Sequence, residues 1–275
     1  MKKVKLNDIE KLSYTDFVSL IKEENRPSGG KKTIRDIVQN SFINDKSKVL
    51  EVGCTNGFSS LEINRLVNAD VIGIDINENS VKNANDRINE YKLDKKKIKF
   101  EYGNAEELKY DDNTFDLIVS GNAISFMNDR DKAITEMIRV LKPNGFISIV
   151  PIWYKQTPDE KIISKVNKEL GFNIKCTMEK DWLDYSNYDL ELYYKKDYTF
   201  IKASKEEIKR YVDKMIDSKK ELKAYNKEEI QVIKKRWERT ISTFNDNLAM
   251  ANYSVILLRK NLVPEEEEIF KTREI

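Results

Sequence analysis

Between residue 48 and about residue 152, short apolar runs alternate with amphipathic stretches, a pattern that predicts strands of a parallel sheet covered by helices on both faces. Five strands are predicted: Lys48 to Gly53, Val71 to Ile76, Ile98 to Tyr102, Phe115 to Ser120 and Gly145 to Trp153. Val49, Leu50 and Val52 are apolar without alternation, as expected of a strand buried on both faces. Helical spacing appears from about Ser59 to Val67, from Asn79 to Tyr91 and from Asp131 to Leu141. Ser59 and Glu62 carry capping-box spacing at the first of these, and Lys142-Pro143-Asn144-Gly145 supplies the stop signal of the last.

Ahead of this core, Ile9, Leu12, Phe17, Leu20 and Ile21 fall near one helical face, Ile34, Ile37 and Val38 mark a second short helix, and Asn25 to Gly30 is a loop between them. After the core, Ile162 to Leu170 and roughly Met178 to Tyr185 read as helical, and Leu190 to Phe200 as a strand rich in tyrosine. Two long amphipathic helices follow, one carrying Ile208, Val212 and Ile216, the other Ile233, Trp237, Ile241 and Phe244. Tyr253 to Leu258 closes the sheet, and Glu265 to Glu268 open a charged tail. The expected architecture is α/β: a doubly wound, mostly parallel seven-stranded sheet with an antiparallel last strand, plus N-terminal and C-terminal helical additions forming a lid. Its expected parts are a helical cap (1–45), the core (46–153), the end of the sheet with an aromatic-rich segment (154–203), a helical insertion (204–250), and the last strand with its tail (251–275). If Leu190 to Phe200 runs with the core strands and Tyr253 to Leu258 runs back, the insertion emerges at the carboxyl ends of the strands, where ligands bind. A solvated hairpin used for dimerisation is the other reading of the insertion.

Composition narrows the chemistry. With 49 basic and 47 acidic side chains the formal charge is +2, which gives no reason to expect a nucleic acid or an anionic membrane as partner. No apolar run is long enough to span a bilayer, and the start Met1-Lys2-Lys3-Val4 lacks a signal peptide's apolar segment, so a cytoplasmic location is expected. Two cysteines, Cys54 and Cys176, are too few and too far apart for a disulfide framework or a metal site. The chain has no histidine, which excludes Ser-His-Asp and Cys-His nucleophiles, His-ligated zinc and every histidine base. Any catalysis therefore uses carboxylates, Tyr, Lys, backbone dipoles or a reactive cofactor.

Val49 to Gly57 joins an apolar strand to a carboxylate, Glu51, and to a turn with two glycines, just ahead of a helix N-terminus. Such a turn suits an adenosine-like ligand, and a tight turn without a ligand fits the same residues. Three further motifs follow in order: Asp75 at the end of the second strand; Gly103-Asn104-Ala105-Glu106-Glu107-Leu108 with Asn113-Thr114-Phe115-Asp116; and Ile138 to Gly145. With these, residues 48–150 resemble a class I S-adenosylmethionine-dependent methyltransferase. The resemblance implies that Glu51, Gly53, Cys54, Thr55 and Gly57 form the methionine-side cradle, with Thr55 where the family most often has a second glycine. It implies a ribose carboxylate at Asp75, beside Ile76, and adenine recognition by Asn104, where the family commonly has Asp, and by the Ala105 N–H. It places Gly121 and Asn122 at the cofactor's methionine end and the substrate entry. A nicotinamide-dependent dehydrogenase also uses a glycine turn and a second-strand carboxylate, but this turn lacks the Gly-x-Gly-x-x-Gly fingerprint.

The implied cofactor is S-adenosyl-L-methionine, with no metal. The implied reaction is in-line methyl transfer to a nucleophilic N, O or S atom of a small molecule, for which orienting two bound reactants removes about 7–11 kcal/mol of barrier. Family members often close the site with an N-terminal helix, and this makes Tyr14 the candidate near the methyl group. The Arg26 to Thr33 loop is a candidate cover for the cofactor carboxylate or an acidic substrate, and also reads as a plain connector. Trp153, Tyr154, Trp182, Tyr185, Tyr193 and Tyr194 are candidates for the pocket rim or for core packing. Two alternatives remain: a cofactor-binding but inactive partner or regulatory subunit, and a methyltransferase acting on RNA or protein. An oligomer through the helical insertion is a further expectation.

Overall fold

The computed structural model of the protein describes residues 4–183, Tyr188 and residues 190–260; Tyr185 and Glu265 to Glu268 lie outside them. In chain order the elements are α1 (Leu6–Ile9), α2 (Tyr14–Leu20), α3 (Lys31–Asn40), β1 (Lys48–Val52), α4 (Phe58–Val67), β2 (Asp70–Asp75) and α5 (Glu78–Glu90). They continue with β3 (Ile98–Tyr102), β4 (Phe115–Val119), α6 (Arg130–Val140), β5 (Leu141–Ile149), β6 (Ile152–Tyr154), α7 (Glu160–Leu170) and β7 (Leu190–Thr199). The last are α8 (Lys205–Ser218), α9 (Lys227–Leu248) and β8 (Ala251–Lys260).

The sheet runs β3-β2-β1-β4-β5-β8, with β7 on the far edge of β8. The first five strands are parallel, and β8 is antiparallel to β5, β6 and β7. Phe146↔Arg259 on β5 and Ile152↔Tyr253 on β6 share one register against β8, so the eight described strands occupy seven rows. Pro151 interrupts the line between β5 and β6; having no N–H, it leaves only its carbonyl, which accepts the Ser254 N–H at 3.1 Å. Since β7 and β5 both oppose β8, β7 runs in the direction of the core strands, and α8 and α9 leave the sheet at its carboxyl end. The chain winds outward from β1 through β2 to β3 and then returns to β4 beside β1. This is the switch point at which open α/β sheets form a ligand crevice.

Each face of the sheet has its own apolar core. Val49 packs with Phe58, Leu61, Ile34 and Val255 on one side, and Leu50 and Val52 pack with Ile118, Ile134 and Met137 on the other. Burial on both faces is why β1 shows no apolar-polar alternation. A third core has no sheet residues: Ile9, Phe17, Val18, Leu20 and Ile21 from the first two helices meet Ile208, Val212, Ile216, Ile233 and Trp237 from α8 and α9. Capping boxes at Ser204/Glu207 and Asn226/Glu229 start α8 and α9. Ile208, Val212 and Ile216 recur at four-residue spacing, giving α8 a single buried stripe.

Four local expectations are corrected. The face from Ile9 to Ile21 belongs to two helices, because Ser13 caps α2 by accepting the Asp16 N–H at 3.1 Å while the Ile9 and Leu12 carbonyls turn to Arg236. Among the described residues from Met178 to Leu183 the helical signal is a single 3-10 turn, Glu179–Trp182. Leu141 already pairs with Phe115, so β5 begins four residues before Gly145. Helix α4 has no capping box: Gly57 starts it in the left-handed region, and Glu62 pairs with Arg65 and Lys31 instead.

Candidate active site

The turn after β1 is made of unusual backbone. Gly53, Thr55 and Gly57 have φ of 73°, 46° and 81°. A Cβ on Gly53 would lie 2.4 Å from the Ala123 Cβ, and one on Gly57 would lie 2.6 Å from the Phe100 ring. The two glycines thus let the segment after β4 and the ring on β3 close onto the turn. Thr55 has no such freedom, and a β-branched residue at positive φ is strained by about 1–3 kcal/mol. Two hydrogen bonds hold it there: its N–H donates to Asp75 Oδ2 at 2.9 Å, and its Oγ1 accepts from Asn25 Nδ2 at 3.0 Å.

Two carboxylates flank this turn, neither paired with a cation among the described residues. Glu51 is buried and accepts the Ser60 N–H at 2.8 Å and the Ser60 hydroxyl at 2.5 Å; burial pushes its carboxyl up to about 7, against these bonds. Asp75 also accepts the Asn77 N–H at 2.8 Å, and burial raises its carboxyl as well. The Cys54 thiol is buried and raised by burial and by the two carboxylates, which removes it as a nucleophile. Beside Asp75, Ile76 is 69% exposed, an apolar side chain left uncovered at the crevice. Asn104 is exposed, its Oδ1 accepting the Glu106 N–H at 3.0 Å with one lone pair to spare, and Ala105 is buried next to it.

Past β4, a Cβ on Gly121 would meet nothing within 4 Å, so the crevice is open there. Asn122 Nδ2 reaches Ser28 Oγ at 3.4 Å, while its Oδ1 is buried with no hydrogen-bond partner among the described residues. An orphaned acceptor and two carboxylates without cations form a site short of positive charge and of donors. S-adenosylmethionine, with a sulfonium, an ammonium and ribose hydroxyls, fits that deficit.

The N-terminal helices and the loop after them lie across this turn. Asn77 Nδ2 donates to Asp16 at 3.1 Å, Asn83 Nδ2 to the Ser19 carbonyl at 2.9 Å, and Asn56 Nδ2 to the Glu23 carbonyl at 2.6 Å. Arg87 joins the Asn56 carbonyl to the Glu24 carboxylate. In the following loop, Arg26 pairs with Glu24 and sits over the Phe58 ring, so Ser28 is the residue that reaches toward Asn122. Tyr14 is half-buried at the start of α2, its ring edge-on to Phe244 at 5.6 Å. Burial, and then the nearby Glu23 carboxylate, push its phenol well above the ordinary value, so it stays protonated at neutral pH. Glu23, which no motif marks, accepts the Tyr211 hydroxyl at 3.0 Å, and burial raises its carboxyl.

Tyr14 also lines a cavity of about 870 Å³ bounded by the turn between α1 and α2, by α7 and by α9. A second cavity of about 750 Å³ lies along α7, and its Phe172 ring packs edge-on, 5.5 Å away, against Phe126 in the turn after β4. The other aromatic candidates among the described residues line neither cavity. Trp153 and Trp182 are in the sheet core, Tyr154 is buried and donates to Asn247 at 2.8 Å, and Tyr193 packs on Phe42 and Phe146. The structure thus gathers Glu51, Gly53, Cys54, Thr55, Gly57, Asp75, Ile76, Gly121 and Asn122 around one crevice, with Asn104 and Ala105 just past β3 and Tyr14 on the cap.

A model of the methyltransferase domain matches residues 43–214, and the chain belongs to the class I S-adenosylmethionine-dependent methyltransferase family. It is similar to the methyltransferase GfsG of Streptomyces halstedii, 30% identical over 149 residues, covering 54% of this chain and 51% of that protein. It is also similar to phosphoethanolamine N-methyltransferase of Plasmodium falciparum (isolate 3D7), 28% identical over 222 residues that cover 72% of this chain and 80% of that one. Several of the matched relatives are spanned only to about half their length. Among solved structures, the MccD protein superposes with a TM-score of 0.73 at 24% identity, over 86% of this chain and all of that one, which shows the shared fold.

Proposed function

We propose that the protein transfers a methyl group from S-adenosylmethionine to a nucleophilic N, O or S atom of a small molecule. The observation that carries this reading is the deficit at the switch point: Glu51, Asp75 and the orphaned Asn122 Oδ1 converge on a glycine turn roofed by the N-terminal helices. When bound, the cofactor supplies a methyl group activated on a sulfonium. The chain's own residues then position and enclose. Asp75 accepts ribose hydroxyls, Ile76 covers an adenine face, and Asn104 with the Ala105 N–H meets the adenine edge. Glu51, Gly53, Cys54, Thr55, Gly57, Gly121 and Asn122 take the methionine end. Protonated Tyr14 orients the acceptor, and Glu23 is the carboxylate beside it for a proton lost from the acceptor. Enclosure between α2, α7 and α9 favours a compact acceptor over RNA or protein. Among the described residues no helix is long and apolar enough to cross a membrane, and two free cysteines fit the cytoplasm.

The test is mass spectrometry of a metabolite panel incubated with protein and cofactor. A product one methyl heavier, formed by wild type and strongly reduced in Tyr14→Phe and Glu23→Gln, supports the reading. Tight cofactor binding without turnover of any acceptor class would instead favour a regulatory subunit.

A further inference from the structure

Arg236 lies on the wall of the 870 Å³ cavity, yet it is 5% exposed and has no carboxylate of its own. Its two terminal nitrogens donate to the Ile9 and Leu12 carbonyls, its guanidinium sits 4.1 Å over the Phe17 ring, and its buried Nε has no partner. Neutral carbonyls and a ring satisfy donors without cancelling charge, and a buried uncompensated cation is expensive. The carboxylates that face it, Glu10 and Glu169, are both engaged by Arg239, at 3.0 Å and 2.8 Å. The same cavity is lined by Lys11, Lys165 and Lys168, of which, among the described residues, only Lys11 has an ion-pair partner, Asp8 outside the lining. Five cations against two carboxylates leave the walls with a charge of +3.

From this charge pattern we propose that the cavity beside Tyr14 binds an anionic group, a phosphate or a carboxylate, carried by the methyl acceptor. The proposal rests on the methyltransferase reading for the word acceptor; the anion site itself stands on the lining. Arg236 supplies fixed charge from a rigid position clamped to the turn between α1 and α2. Lys165 and Lys168, one turn apart on α7, supply mobile ammonium groups at the mouth. An anion seated there bridges the cap, through Arg236, and α7, through the lysines.

The experiment is calorimetric titration of the full chain, saturated with S-adenosylhomocysteine so that the cofactor crevice is filled, with inorganic phosphate and separately with acetate at fixed chloride ionic strength. One anion is expected to bind per chain, and the Lys165→Glu/Lys168→Glu variant to weaken it by at least about tenfold. Arg236→Met is expected to abolish it; if that variant fails to fold, as shown by circular dichroism, the lysine pair decides. Phosphate tighter than acetate assigns a phosphate ester, and the reverse assigns a carboxylate. Binding of neither anion, or unchanged affinity in the lysine variant, overturns the inference. Failure of the chain to bind S-adenosylhomocysteine while phosphate still binds would sink the methyltransferase reading and leave the anion site standing.

Discussion

In the cradle between β1 and β4 the turn itself is backbone chemistry: Gly53, Thr55 and Gly57 at positive φ, with the Thr55 N–H held by Asp75 and the glycine N–H groups by the Ile74 and Cys54 carbonyls. In the enclosure the proposed working parts are side chains: Tyr14 and Arg236 on helices of the strand-free third core, Glu23 in the loop after α2, and the lysines of α7, a helix outside that core. The cradle is tied into a continuous sheet with buried residues on both faces. The enclosure joins residues 9–21 to residues 208–237 through an apolar cluster and a few polar bridges. A backbone-built site holds an invariant ligand, whereas a side-chain cavity on a separate core can change its occupant without disturbing the sheet.

The sharpest way to separate the two regions is to weaken the enclosure's core alone. Trp237→Ala removes a buried indole from the third cluster and should cost about 3–5 kcal/mol. Hydrogen exchange should show α1, α2, α8 and α9 losing protection while β1, β4 and β5 keep theirs; uniform loss would mean that the two regions unfold as one. Next in size, Asp75→Ala leaves the Thr55 and Asn77 N–H groups without their acceptor and removes the carboxylate proposed to bind ribose. It should weaken S-adenosylhomocysteine binding roughly 100-fold, which at about 2–3 kcal/mol is the worth of orphaned buried groups; fluorescence or calorimetric titration would measure it.

A smaller effect comes from Glu51. Its folded pKa of about 7 lies above the ordinary 4.5, so the fold favours the protonated form: this contribution to stability is complete below pH 4.5 and is lost as pH rises through about 7. A cationic ligand prefers the ionised form, so cofactor affinity should rise severalfold between about pH 5 and pH 8, and Glu51→Gln should flatten both profiles. Thermal melts and titrations across that range check the pair of slopes. The smallest expected change is Thr55→Gly, which relieves positive φ and loses the Asn25 bond. A net gain of about 1 kcal/mol in stability, seen as a raised Tm, would identify the strain as real, and a loss would show that the Asn25 bond outweighs it.

The cradle was legible in the sequence because its determinants are local. Strand, carboxylate, glycine turn and helix fall within Val49 to Val67, Asp75 ends the mostly apolar β2, and Asn104 follows two residues after β3. The enclosure was legible only as amphipathic helices. That Phe17 meets Trp237, or that the Ile9 and Leu12 carbonyls take up Arg236 and thereby split one expected helix into two, depends on contacts more than 200 residues apart. Glu23 and Arg236 had no signal at all, since an isolated charge within a charged chain reads as a solvated surface. The capping box expected at Ser59 and Glu62 failed for a related reason. Ser60, one residue on, was drawn to the buried Glu51, a tertiary demand that outweighed the local motif.

Hydrogen exchange with and without S-adenosylhomocysteine tests the central claim most directly, because it asks which backbone the cofactor touches. Slowed exchange is expected at Gly53 to Gly57, Asp75 to Asn77, Asn104 to Ala105 and Gly121 to Asn122. Protection absent from those four segments, or confined to the cavity beside Arg236, would contradict the account.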